Sequence, residues 1–138
     1  VCVQLGMDYA IASPKGYELP EETREEASRI AKESGSSIEF INDPKQAVKG
    51  AHAIYADTWV SMGQEDEMAE RLKTFDGYQV NKELLALADP AAIVLHCLPA
   101  HRGTEITDEV MDGPQSRIFQ QAENRLHAQK AILAKFLS

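Results

Sequence analysis

Cysteine is scarce in this chain: Cys2 and Cys97 are the only two in 138 residues. Two thiols cannot build a disulfide framework, so a reducing, cytoplasmic compartment is expected. No apolar run approaches the roughly 20 residues that cross a bilayer, and the opening residues lack the basic-then-apolar pattern of a signal peptide. Basic residues are outnumbered, 14 against 22 acidic, giving a net charge of −8. That balance argues against nucleic acid as a partner, because phosphate-backbone binding draws on clustered Lys and Arg. Membrane and nucleic acid are therefore both unexpected partners. Also lacking are internal repeats, low-complexity tracts, flexible linkers, a Gly-rich dinucleotide fingerprint and a nucleotide-triphosphatase phosphate loop.

What is present is an ordinary globular composition, 43% apolar and 26% charged, in a chain long enough for one domain with a real core. Strand and helix patterns alternate. Strands are expected at 8–12, 37–41, 51–56, 92–98 and 117–119. A helix is expected from about Pro20, with acidic residues in its first turn, Ala27, Ile30 and Ala31 forming its apolar stripe, and Gly35 just beyond its end. Asp43-Pro44 opens a short helix, and others are expected at 64–75, 82–88 behind an Asn81 cap, and from Thr107. The last helix is expected from about Ala122. This alternation predicts an α/β domain: a parallel open sheet of about five strands with helices on both faces, a Rossmann-like three-layer arrangement. Val1 to Gly6 reads as the last turns of a helix closed by glycine, so the chain is expected to be the second half of something longer.

The most informative stretch is His96-Cys97-Leu98-Pro99-Ala100-His101-Arg102-Gly103. It follows the apolar run Ala92-Ile93-Val94-Leu95, so the cysteine is expected at a strand's carboxyl end, where open α/β sheets bind ligands. Two histidines and an arginine lie within five residues of the thiol, and nearby cations favour thiolate. Three chemistries are open to Cys97: contact with an electrophilic or amine substrate, nucleophilic attack with a histidine base, or metal ligation with His96 and His101. The metal set is incomplete, and no metal is expected. Asp57-Thr58-Trp59-Val60-Ser61-Met62-Gly63 also follows an apolar strand. Asp57 can bind an ammonium group or merely cap a turn, while Ser61, Met62 and Gly63 bring a hydroxyl and permissive backbone. Two polar loops at one sheet edge predict a shared pocket. Arg125, read at the opening of the last helix, suits a phosphate or carboxylate, or else pairs with Glu123 on the surface. His52 and His127 read as ordinary histidines.

The ordered set Asp57-x-x-x-Ser61-Met62-Gly63, His96-Cys97-Leu98-Pro99 and Glu123-Asn124-Arg125 resembles the carboxyl-terminal half of the ornithine carbamoyltransferase family. The similarity extends over essentially all 138 residues, including Met7-Asp8 and Ala12-Ser13-Pro14-Lys15-Gly16-Tyr17. It implies transfer of a carbamoyl group from carbamoyl phosphate to ornithine, giving citrulline and phosphate in arginine biosynthesis. The Ser-Met-Gly and His-Cys-Leu-Pro loops favour ornithine over aspartate, and count against the acetylornithine, succinylornithine and putrescine relatives. By resemblance, Asp57 binds an ornithine amino group, and Ser61 and the Met62 backbone hold the amino-acid end. Cys97 and the Leu98 carbonyl lie by the reacting amine and the carbamoyl group, and Arg125 contacts carbamoyl phosphate. Cys97, Asp57 and Arg125 are thus the expected catalytic residues, and no cofactor is implied. The family's Ser-Thr-Arg-Thr, His-Pro-x-Gln and Asp-Gly-Asn-Asn segments are not in this sequence. Residues 1–138 are accordingly expected to be an ornithine-binding domain that needs an amino-terminal carbamoyl-phosphate domain. The family implies a trimer, hence a homo-oligomer. The apolar residues Ile132, Leu133, Phe136 and Leu137 of the last helix are expected to be exposed or engaged by another copy. The alternatives are a stand-alone amino-acid-binding module, and a hydrolase using Cys97 and His101.

Overall fold

The computed structural model describes residues 1–60, 63 and 65–137. The chain divides into two compact units, Val1–Lys49 and Gly50–Ser138.

In the first unit, the expected helix end is a single 3-10 turn at Val3–Leu5, closed by left-handed Gly6. Strand β1 (Tyr9–Ala12) pairs in parallel with β2 (Ile38–Ile41), Tyr9 opposite Ile38 and Ala12 opposite Ile41. Parallel neighbours need a crossover, and α1 (Glu21–Ser34) supplies it. Glu21 and Glu22 occupy its first turn and Lys32 its last, each suited to the helix dipole. Gly35 ends it with φ 75, its N–H reaching the Ala31 carbonyl. Asp8 aligns the two strand starts by accepting from both the backbone N–H and the hydroxyl of Ser37 (2.8 and 2.7 Å). After β2 comes α2 (Pro44–Ala47), capped by the Asp43 carboxylate on the Lys45 N–H.

The second unit carries the chemistry-bearing residues. Its strands are β3 (Ala53–Ala56) and β4 (Ile93–His96), again parallel, with Ala53 opposite Ile93 and Ala56 opposite His96. Ile54, Ala56, Val94 and His96 are buried, the period-two alternation of a strand. Between them lie a 3-10 turn (Glu65–Glu67), α3 (Met68–Thr74) and α4 (Lys82–Leu85), the last capped by Asn81. Beyond β4 come α5 (Asp108–Met111) and α6 (Ile118–Leu137).

The α/β pattern with parallel strands is as expected, but the strands differ in number. Among the described residues there are four, in two pairs. The segment read as a fifth strand makes one bridge: Val94 N–H donates to the Gln115 carbonyl (2.9 Å) and Arg117 N–H to the Val94 carbonyl (2.8 Å). Ile118 then turns inward, fully buried, as the first residue of α6. That burial is why Arg117-Ile118-Phe119 mimics a strand in sequence. It also starts α6 four residues earlier than expected.

The best-buried aliphatic residues of this unit are Ala92, Val94, Ile106 and Ile118. The far part of α6 is exposed, Phe136 at 77% among its apolar residues. Replacing Ile106 by alanine should therefore cost about 2–5 kcal/mol in urea unfolding. Ile132→Ala should stay within about 0.5 kcal/mol. Equal costs for the two would refute this assignment of the core.

Candidate active site

β3 and β4 end side by side, so the residues that follow them emerge together. Asp57 Oδ1 accepts from its neighbour's backbone, Thr58 N–H, at 2.8 Å, and from the Cys97 thiol at 3.0 Å. Two loops forty residues apart in sequence thus meet in a carboxylate–thiol pair. Burial, and then the hydrogen bond and negative charge of Asp57, push the Cys97 thiol up to about 11. The expected stabilisation of thiolate by neighbouring cations is overturned. A carboxylate stands where sequence proximity suggested histidine and arginine. Near neutral pH Cys97 is a protonated thiol that donates to Asp57.

His96 explains why the histidines do not activate it. Its ring is buried, and Nδ1 accepts the Leu98 backbone N–H at 2.8 Å. That bond leaves Nδ1 without a proton and puts the ring hydrogen of the neutral form on Nε2. Nε2 lies 3.3 Å from Glu105 Oε1, within ion-pair range but poorly aligned for a hydrogen bond. The Cys97 sulfur is 3.9 Å from an Nδ1 already taken by the backbone. The same occupancy removes Nδ1 as a metal ligand.

Glu105 is the residue that sequence reasoning missed. It is 1% exposed, and its Oε1 accepts the His101 N–H and faces the His101 ring at 3.4 Å. Burial alone would raise its carboxyl, but His96, the His101 N–H and its own backbone N–H outweigh that and hold it below the usual range. The only sequence signal was a lone carboxylate, beside Ile106, closing a loop with two histidines. His101 itself is half-exposed, its Nδ1 3.2 Å from the Thr58 hydroxyl. It links the two loops rather than meeting Cys97.

The loop carrying Cys97 is anchored at many points. Leu98 takes a left-handed backbone, φ 57, before a cis peptide to Pro99. For leucine that conformation costs on the order of 1 kcal/mol or more, and the Leu98 N–H bond to His96 opposes the cost. Further on, Val80 N–H donates to the Glu105 carbonyl (2.8 Å), and the Gln79 amide donates to the Gly103 and Thr104 carbonyls, both at 2.9 Å. Arg102 grips Asp112 with two nitrogens (2.7 and 2.9 Å) and reaches Asp108 at 2.7 Å. Behind the Asp57 loop, Trp59 stacks on Phe75 (5.7 Å between centroids), which meets Tyr78 edge-on at 5.9 Å. Arg71 reaches the Trp59 carbonyl at 3.3 Å.

Arg125 is the eighth residue of α6, not its opening, so the helix-terminus reading of this arginine is corrected. It nevertheless reaches the same place. An open cleft of about 490 Å³ is lined by Cys97, Leu98 and Pro99 on one side and Gln121, Arg125 and Gln129 on the other. Among the described residues Arg125 has no ion-pair partner; Glu123 pairs instead with His127 at 3.9 Å. A cation over an open cleft suits an anion. Ser61 and Met62 lie outside the described residues.

The fold and edge define the class: a parallel α/β domain with a polar site where its strands end. The chain belongs to the family described as aspartate/ornithine carbamoyltransferase, Asp/Orn binding domain, whose family model matches residues 1–136. It is 58% identical over 130 residues to the ornithine carbamoyltransferase of Caldicellulosiruptor saccharolyticus, covering 94% of this chain and 42% of that one. The solved ornithine carbamoyltransferase of Pyrococcus furiosus superposes with TM-score 0.90 at 54% identity, covering 96% and 42% of the two chains. That of Gloeobacter violaceus gives 0.88 at 48% identity, covering 99% and 45%. The chain thus spans less than half the length of these relatives.

Two outcomes follow from the electrostatics. In a Cys2→Ser background, the thiolate absorbance of Cys97 should titrate near the raised value of about 11, and Asp57→Asn should bring the midpoint down; a midpoint in the ordinary thiol range would refute the pairing. Because the folded Glu105 carboxyl titrates lower than in the unfolded chain, its contribution is present above the unfolded value and lost as pH falls through the folded one. Glu105→Gln should cost about 1–3 kcal/mol near neutrality. It should also flatten the acid limb of stability measured by urea midpoints across pH.

Proposed function

We propose that this chain is the ornithine-binding half of an ornithine carbamoyltransferase, and that it works with an amino-terminal half that binds carbamoyl phosphate. The observation that carries the reading is the Asp57–Cys97 pair, sharing one strand edge with a cleft that Arg125 lines. A carboxylate and a cation on one edge provide for both ends of the chemistry.

The side-chain amine of ornithine must shed its ammonium proton before its lone pair attacks the carbamoyl carbon. The new C–N bond forms as the bond from carbon to the phosphate oxygen breaks, and the nitrogen passes its surplus second proton to the departing phosphate, leaving citrulline and phosphate. Asp57 holds an amino group of ornithine by charge. Cys97, a thiol rather than a thiolate near neutral pH, positions the reacting amine and serves proton handling better than covalent attack. The Leu98 carbonyl offers the amine a further acceptor. Arg125 balances charge growing on the departing phosphate. Ser61 and the Met62 backbone hold the amino-acid end of ornithine. A Cys97–His101 hydrolase finds no support, since the His101 ring engages Thr58 and Glu105. A homo-oligomeric, cytoplasmic enzyme completes the reading.

The test is citrulline formation from ornithine and carbamoyl phosphate. The chain alone should show no appreciable turnover, and turnover should appear when a separately made amino-terminal half is added. Asp57→Ala and Cys97→Ala should each lower it by about a hundredfold or more. Silence in the mixture, with both halves folded and associated, would refute the assignment. Ornithine binding without turnover, read from the single tryptophan Trp59 beside Asp57, would instead favour a stand-alone binding module.

A further inference from the structure

Gln121 lies in the first turn of α6, and both ends of its side-chain amide are engaged. The oxygen accepts the backbone N–H of His96, the last residue of β4, at 3.0 Å. The nitrogen donates to the hydroxyl of Tyr55, on β3, at 3.1 Å. One side chain therefore joins both strands to the helix. Its importance grows from what α6 lacks. Among the described residues of this helix, Ile118 and Gln121 are the only two that are not exposed. Ile118 seats the helix start in the core, and Gln121 is the next point of attachment. With the Arg117 N–H bond to the Val94 carbonyl just before the helix, these contacts hold the start of α6 against β4.

Arg125 stands four residues beyond Gln121, one turn on and on the same face. Both line the cleft with Cys97 and Leu98. His96 directly precedes Cys97 in the chain, so the bond from Gln121 to the His96 N–H ties the arginine's helix to the residue next to the thiol. The rigid stretch from Gln121 to Arg125 then sets where the guanidinium stands over the cleft. We propose that Gln121 is a positioning residue that holds Arg125 in register with Cys97, and so governs the anionic substrate rather than the amino acid. The assignment rests on the reading of Arg125 as the carbamoyl-phosphate contact.

The experiment compares Gln121→Met, which keeps the length but loses the acceptor, with Gln121→Glu, which still accepts from His96 and can accept from the Tyr55 hydroxyl. In the two-part enzyme, Gln121→Met should raise KM for carbamoyl phosphate by about tenfold and KM for ornithine by less than about twofold. A rise shared equally by both substrates, or no rise, would overturn the proposal. Should the Met variant not fold, Gln121→Asn, one methylene too short to reach, replaces it with the same expected split. A second readout needs no turnover: in the nitrogen-labelled chain the His96 amide proton should move to higher field in Gln121→Met and stay in Gln121→Glu. An unmoved amide overturns the proposal. An inactive unsubstituted enzyme would sink the carbamoyltransferase reading instead, while the amide shift still decides whether Gln121 holds β4 to α6.

Discussion

The parallel pairing of β3 with β4 ends both strands at one level, Ala56 opposite His96, and the site is a consequence of that register. In a parallel pair the residues after two matched ends leave the sheet on the same side. Asp57 and Cys97 are those residues, and they meet at 3.0 Å. Sliding the pairing by one residue would do more than separate them. It would turn His96 and Val94 out of the core and put Leu95 in their place, because side chains alternate across a strand. The buried alternation therefore protects the carboxylate–thiol pair as well as the core. Geometry at the edge and stability of the interior are fixed by one set of contacts.

Holding a polar edge in place sets a second requirement. Backbone that leaves a strand loses its ladder partners, and buried groups left unpaired are costly. Here the replacement partners come from the loop itself. His96 turns its ring forward to receive the Leu98 N–H, and Glu105 returns from the far end of the loop to receive the His101 N–H. The ring and the carboxylate face each other in the interior, nearly without exposure. Removing either would leave a backbone N–H of the loop, that of Leu98 or of His101, without its acceptor. The loop is closed on a buried polar centre, and the Arg102 grip on Asp108 and Asp112 closes it again at the surface, where such pairs contribute less.

Much of this was legible in the residues. Ala92 to Leu95 had to be a buried strand, and a polar loop after it had to sit at the carboxyl edge; the same logic placed Asp57. Local caps such as Asn81, Asp43 and Gly35 are local chemistry and were read as such. What escaped depends on contacts between distant residues. Arg117-Ile118-Phe119 carries a strand's composition, but Ile118 is buried as a helix start. Cys97 has cations beside it in sequence and a carboxylate beside it in space, which reverses the direction of its titration. Glu105 and Gln121 have no motif to betray them, because each matters through a backbone N–H it accepts. Periodicity reports which face a residue takes, not which partner waits there.

The protonated state of Cys97 narrows the chemistry this edge can support. A nucleophilic cysteine needs a base to take its proton, and the nearest imidazole nitrogen is already occupied by Leu98 N–H. Asp57 is placed to accept a hydrogen bond from the thiol, and its charge makes the thiolate harder to form. What disfavours attack by sulfur favours the binding of a cation. Under the proposed reading, an incoming ammonium would find Asp57 as counter-ion and the sulfur as a soft, polarisable neighbour. As that ammonium loses its proton, the electrostatic reason for holding it weakens while its lone pair becomes available. Arg125, on a separate helix, would in the same reading keep an anion's charge apart from this change. Divided in this way, the edge suits a reaction in which an amine must be neutral and a leaving group negative at the same moment.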